Sequence, residues 1–325
     1  MRYALFYSEF KRKEDFMMLY PIADAHCDYL YGAMEYGWNI QSGKRDQTMT
    51  LSNLKAGNVR LQFFAAWTDT SLEVPPLEQV LLMIDRYYDM VENEPYLCKL
   101  TRDYDPAGEQ MATLLTIEGA ECCEASPSIL RDLYRLGVRA ATFTWNSNNE
   151  LAGAAQGKRP KGLTKDGKAL LQEMNRLGMA FDVSHLSDAG IEDALKWSET
   201  PIFASHSNCR ALCNVPRALK DEHIREIGRR GGVVGINYYG PQLTKSGTAT
   251  IDDIVRHICH AVEIAGVNAV CLGSDFDGMT RYPLDLPNPS RLQDLCVGLE
   301  RAGFSSTEVE RITYRNLHDY IVQFV

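Results

Sequence analysis

The sequence predicts an α/β fold, a (β/α)8 TIM barrel, and three observations carry that prediction. Eight short apolar segments of strand character recur along the chain, most of them separated by stretches of helical periodicity. The segments read as continuous apolar runs, as parallel strands buried on both faces do. The chain has 325 residues, which suits one large α/β domain or two average ones. Strand–helix alternation forces parallel pairing through right-handed crossovers, and eight such units at this length favour the barrel. The alternative is an open doubly wound sheet. It would usually show a Gly-rich phosphate turn after its first strand, and none is present.

The first strand spans residues 22–28, after Pro21, and stops on His26-Cys27-Asp28. The second, 59–67, has the β-type apolar density of Val59, Leu61, Phe63 and Phe64. Helical spacing of Val80, Leu81, Ile84 and Tyr88 marks a helix over 77–91. The third strand is 112–118, ending in Glu118. A helix over 128–136 stops at Gly137, and the fourth strand, 139–145, ends in Trp145. A polar, Gly-rich loop follows over 146–162; long loops inside compact domains are often functional. Thr164 caps a helix that ends near Gly178. The fifth strand is 179–185, Ser187 caps the next helix, and the sixth strand, 201–206, ends in His206. A loop over 207–219 leads to a helix at 221–230. The seventh strand is 232–239, a helix spans 251–265, and the eighth strand is 269–275. Two terminal helices, near 290–302 and 306–324, close the chain. Residues 1–17 read as an N-terminal extension, and 18–325 as a single barrel domain with C-terminal helices.

Bulk composition narrows the function. Apolar residues make up 45% and charged residues 24%, and the net charge is −9. Nucleic acid is excluded as a partner, since phosphate neutralisation needs clustered Lys and Arg. Nine cysteines, with no C-x-x-C pair, indicate a reducing compartment. No signal-peptide core is present, and no apolar stretch approaches the ~20 residues of a membrane span. The expectation is a cytoplasmic protein without a membrane partner.

The barrel reading requires functional residues at the carboxyl ends of strands. His26, His185 and His206 end strands there, with Asp28, Glu118 and Asp275. In an extended chain residues i and i+2 share a side, so His26 and Asp28 aim at one point while Cys27 packs in the core. His, Asp and Glu together accept a borderline divalent ion. Two metals need about five protein ligands and one bridging carboxylate. His26, Asp28, Glu118, His185 and His206 supply them, Glu118 as the bridge, with Asp275 left for proton transfer. The remaining histidines, His223, His257, His260 and His318, read as solvated or capping residues on helices.

The segments Asp24-Ala25-His26-Cys27-Asp28, Glu118-Gly119-Ala120, Phe181-Asp182-Val183-Ser184-His185, Ser205-His206-Ser207-Asn208 and Gly273-Ser274-Asp275-Phe276-Asp277-Gly278 occur in this order. Over residues 20–320 the chain resembles the membrane (renal) dipeptidase family of zinc peptidases, in particular its bacterial members. The resemblance implies a metal-dependent hydrolase barrel with two zinc ions. By it His26 and Asp28 hold one ion, His185 and His206 the other, and Glu118 bridges them. It implies that Asp275 handles protons and that Arg217 grips the substrate carboxylate; Arg210 competes for that role. The implied reaction is hydrolysis of a free dipeptide by a metal-bridging hydroxide. Tolerance of a C-terminal D-residue and a homodimer come with it. One departure stands out: Trp145 occupies the place of a family histidine thought to stabilise the tetrahedral intermediate. Trp145, Asn146 and Tyr239 are therefore expected to line the substrate pocket. Asp277 reads as a supporting or turn residue, and Asp24 as support for the strand or a ligand histidine. Another amide or ester hydrolase on the same metal barrel, or a non-catalytic metal-binding relative, are the competing readings.

Overall fold

The computed structural model describes residues 19–44 and 46–325; the expected extension over 1–17 lies outside them. Among the described residues the sheet has nine strands. They are β1 (Ile22–Asp24), β2 (Val59–Trp67), β3 (Leu97–Lys99), β4 (Met111–Glu118), β5 (Val138–Thr142), β6 (Ala180–Asp182), β7 (Ala204–Ser207), β8 (Val234–Ile236) and β9 (Val270–Leu272). Their order is β6-β5-β4-β2-β1-β9-β8-β7, all pairs parallel, with β3 added alongside β4. A parallel bridge between Asp182 and Phe203 joins the two ends of that path. Val183 N–H donates to the Phe203 carbonyl at 2.8 Å, and Phe203 N–H to the Phe181 carbonyl at 3.1 Å. The result is the eight-stranded barrel. β3 was not anticipated, because a three-residue strand with an exposed Lys99 leaves no apolar run to read.

Helices connect the strands where the periodicity places them, at Pro76–Asn93, Pro127–Arg135, Lys165–Leu177, Asp188–Trp197, Asp221–Arg229 and Ile251–Ala265. Thr164 and Ser187 accept the N–H groups of Gly167 and Gly190, as helix caps do. Side chains alternate across the sheet. Phe64, Leu115 and Phe181 join the apolar layer shared with the helices. Leu61, Phe63, Leu114 and the small Ala23, Ala112 and Ala180 fill a second cluster with Tyr314, Leu317, Tyr320 and Phe324 of the C-terminal segment. That segment crosses the amino ends of the strands: Asn316 bonds the Val267 and Val270 carbonyls, and Tyr320 the Pro201 carbonyl. The carboxyl ends remain open. None of the described helices is long and apolar enough to cross a membrane.

Two histidines expected to be solvated are buried. His223 is 2% exposed and His257 fully enclosed. His257 Nδ1 accepts the Cys209 N–H at 3.1 Å, and its Nε2 lies 3.1 Å from the Leu243 carbonyl. The ring thus pins the loop that carries Arg217, and it must be neutral to do so. Burial pushes its pKa down to about 4. An unfolded His titrates near 6.5. The unfolded chain therefore gains the proton first on acidification. Stability is whole above pH 6.5 and is lost as pH falls toward 4, by about 3 kcal/mol. The unfolding free energy of His257→Gln, read from urea denaturation, should converge on that of the wild type by this amount between pH 7 and 4. A gap that stays constant with pH would remove His257 from the titration.

Candidate active site

The carboxyl ends of the strands surround a cavity of about 370 Å³, near the lower end for small-molecule sites. Glu118 and His206 lie within β4 and β7, whereas β1, β6 and β9 end sooner than the sequence indicates and leave His26, Asp28, His185 and Asp275 just beyond them. His185 and Asp275 adopt φ of 67°, and Asp277 φ of 66°. Each left-handed non-glycine residue costs on the order of 1 kcal/mol, a strain that clusters at functional sites.

His26 and Asp28 follow β1, Asp28 already off extended backbone at φ −102° and ψ 21°, and they meet as expected, Nε2 3.3 Å from Oδ2. Cys27 turns away into the apolar layer, its Sγ 3.3 Å from the Phe63 carbonyl. Glu118 ends β4, and its two oxygens face different partners. Oε2 lies 3.6 Å from His26 Nε2. Oε1 lies 2.9 Å from His185 Nε2 and 3.2 Å from His206 Nε2. Two triads of ligand atoms, each within 4.8 Å, share this residue: His26–Asp28–Glu118 and Glu118–His185–His206. Asp275 forms a further grouping with His26 and His206.

The protons of these groups can be traced. His185 Nδ1 lies 3.0 Å from Asn146 Oδ1, which also accepts from Gln156 Nε2. His206 Nδ1 lies 2.7 Å from Ser205 Oγ, whose own hydrogen goes to Asp182 Oδ2. Both rings are therefore protonated at Nδ1 and turn a bare Nε2 toward Glu118. The two Nε2 atoms stand 3.0 Å apart. Burial, together with the Arg217 and His26 charges, holds both rings well below their ordinary pKa. Asp28 Oδ1 is buried without a hydrogen-bond partner. Facing lone pairs at this distance repel, and burial removes the water that would screen them. Nitrogen and oxygen donors in this arrangement fit divalent cations.

The carboxylates around His26 favour its charged form. Burial opposes that charge, but Glu118, Asp28 and Asp275 outweigh it and push its pKa up to about 10. Asp275 rests against Asn237, whose Nδ2–H donates to Oδ2 at 3.0 Å; Oδ1 lies 3.9 Å from His26 Nε2. Burial raises this carboxyl to about 7. Gly278 is needed nearby, because a Cβ there would sit 1.9 Å from Asp28 Oδ2 and 2.6 Å from Asp275 Oδ1.

Arg217 lines the same cavity, 4% exposed, donating to Ser207 Oγ at 3.2 Å and to the His206 carbonyl at 3.0 Å. Its Nε has no partner. Arg210 is committed elsewhere, to both oxygens of Asp188 at 2.7 Å and to the Ala218 and Pro216 carbonyls. Trp145 and Tyr239 line the cavity, Trp145 with its ring edge against Trp67 at 4.8 Å. Asn146 also lines it, and its contact to His185 adds a supporting role. Asp277 holds the Thr48 and Met49 N–H groups, as a supporting residue would. Sequence reasoning missed Asn237, because it ran the seventh strand on to Tyr239; β8 stops at Ile236 and leaves Asn237 as its polar end. It also missed Trp67, at the end of β2.

A family description, membrane dipeptidase (peptidase family M19), matches residues 10–320. An uncharacterised dipeptidase of Schizosaccharomyces pombe is 33% identical over 94% of this chain and 82% of its own length. The dipeptidase verJ of Clonostachys rogersoniana is 28% identical over 91% of this chain and 82% of its own. Among solved structures, a metallopeptidase from Rhodobacter sphaeroides, liganded with a phosphinate mimic of the dipeptide L-Ala-D-Ala, superposes with a TM-score of 0.87. It is 22% identical and covers 94% of this chain and 100% of its own. That likeness shows the same barrel.

Proposed function

The chain belongs to the membrane dipeptidase family, peptidase family M19, and is a metallo-dipeptidase; from that premise we propose that it hydrolyses free dipeptides, including those with a C-terminal D-residue, using two zinc ions. The observation that carries the two-ion reading is Glu118, whose oxygens face separate triads. His26 and Asp28 would hold one ion, His185 and His206 the other, and Glu118 would serve both. Ions held there supply Lewis acidity for the scissile carbonyl and a water of lowered pKa. Asp275 Oδ1 takes the proton of the attacking water and returns it to the leaving amine, while Asn237 fixes Oδ2. Trp145 serves as a wall, and Asn146 orients His185. Residues 18–325 act as one catalytic domain. The reading further takes the enzyme as cytoplasmic and homodimeric, the first in keeping with nine free cysteines. The Rhodobacter sphaeroides ligand mimics L-Ala-D-Ala, a dipeptide with the D-configured C-terminus that the reading includes.

Arg217 makes this a dipeptidase. Its planar fork forms two charge-assisted hydrogen bonds with the free carboxylate of the second residue. A tripeptide carries that carboxylate about 3.5 Å too far. Capping the dipeptide as an amide should cost about 2–4 kcal/mol, roughly 30- to 1000-fold in kcat/KM. Arg217→Ala should show the same loss on free L,L and L,D dipeptides and little more on capped ones. Losses that simply add would take the carboxylate away from Arg217.

A further inference from the structure

Two buried aspartates make the same clasp at the site. Asp24 ends β1, and Asp182 ends β6. Each Oδ1 accepts the N–H two residues on, from His26 at 3.4 Å and from Ser184 at 2.9 Å. Each carboxylate also holds both the N–H and the hydroxyl of a serine next door. Asp24 takes Ser274 at 2.8 and 2.5 Å; Asp182 takes Ser205 at 2.9 and 2.5 Å. The twins differ in what surrounds the serine oxygen: Ser274 Oγ also accepts the Phe276 N–H at 3.2 Å, and Ser205 Oγ also lies 3.3 Å from Ser184 Oγ. Ser274 Oγ turns to the His26 carbonyl at 3.2 Å. Ser205 Oγ instead receives the ring N–H of His206 at 2.7 Å.

We infer that Asp182 and Ser205 form a positioning relay for the metal site, fixing the tautomer of His206, whereas the Asp24–Ser274 clasp holds backbone only. The inference rests on the metal-binding reading above. Because the Ser205 proton is committed to Asp182, Ser205 Oγ can only accept from Nδ1, and the lone pair of Nε2 must face Glu118. The backbone beneath the relay is closely packed: a Cβ at Gly235 or Gly273 would lie 2.0 or 1.8 Å from the Ser205 carbonyl oxygen.

The twin supplies a matched control. Ser205→Ala and Ser274→Ala each remove one buried hydroxyl from an aspartate, so both should lower the thermal midpoint of the apo protein by similar amounts. Only Ser205→Ala should weaken one of the two zinc ions, by about 10- to 100-fold, when the apo protein is titrated with zinc against a chromophoric chelator. Asp182→Asn gives a second reading. Its amide oxygen must stay on the Ser184 and Ser205 N–H groups, so its nitrogen donates to Ser205 Oγ. The serine proton then turns to Nδ1, and the ring proton moves to Nε2, against the metal. This variant should weaken the same ion at least as much as Ser205→Ala. Equal weakening by both serine variants, unchanged zinc binding in Ser205→Ala, or a harmless Asp182→Asn would each overturn the relay. A wild-type protein that binds no zinc would overturn the metal reading, and the relay with it. Two tight ions in the wild type with an unaffected Ser205→Ala would overturn the relay alone.

Discussion

Glu118→Gln is expected to leave a folded protein that binds both ions weakly and has no measurable dipeptidase activity. Oε1 faces His185 and His206, and Oε2 faces His26. The amide keeps the shape but removes the charge both ions share, and it replaces one acceptor with an N–H donor. That donor points at a bare histidine nitrogen or at the cation itself. Loss of both ions should cost more than about 10⁴-fold in kcat/KM, a fraction of the ~10⁶-fold or greater acceleration enzymes supply. Metal analysis after zinc-replete purification, run beside the assay, checks it. Two retained ions with near-normal rates would show that Glu118 does not bridge.

The second large effect belongs to Asp275. Asp275→Asn should lower kcat by about 10²- to 10⁴-fold, the range of a lost general acid–base, and leave the zinc content at two. The separation follows from position. Asp275 Oδ1 lies 3.9 Å from His26 Nε2, farther than Asp28 or Glu118, and its other oxygen is held by Asn237. If it serves the transition state only, kcat and kcat/KM should fall together. A fall in metal content matching the fall in rate would make Asp275 a ligand instead. A normal turnover number would remove it from the chemistry.

The chain's own pattern carried much of this arrangement. Period-two geometry anticipated the meeting of His26 with Asp28 and the opposite turn of Cys27, although β1 ends at Asp24 and Asp28 has left extended backbone. Continuous apolar runs separated by capped helices were enough for the barrel, because parallel strands must be covered on both faces. The family resemblance then assigned Glu118, His185, His206, Asp275 and Arg217 to one site. Arg210 and Arg217 illustrate where the pattern stops. Both sit on one loop as equally charged residues; the resemblance favoured Arg217, and the packing gives the physical reason, since Asp188 claims Arg210 while Arg217 turns to the cavity.

His257 and Ser205 carry the same lesson. A histidine among polar neighbours on a helix reads as solvated, yet His257 is buried by a loop more than forty residues earlier in the chain. Burial of this kind is a long-range property, and no local window contains it. The sequence by itself determined the fold class, the types of donor residue and their order along the barrel, because those follow from local periodicity and from residue chemistry. Only the tertiary structure decided which Glu118 oxygen faces which histidine, which ring nitrogens carry protons and what holds Arg210 away from the cavity. Those depend on distances between residues that the chain keeps far apart and the closed sheet brings within about 3 Å.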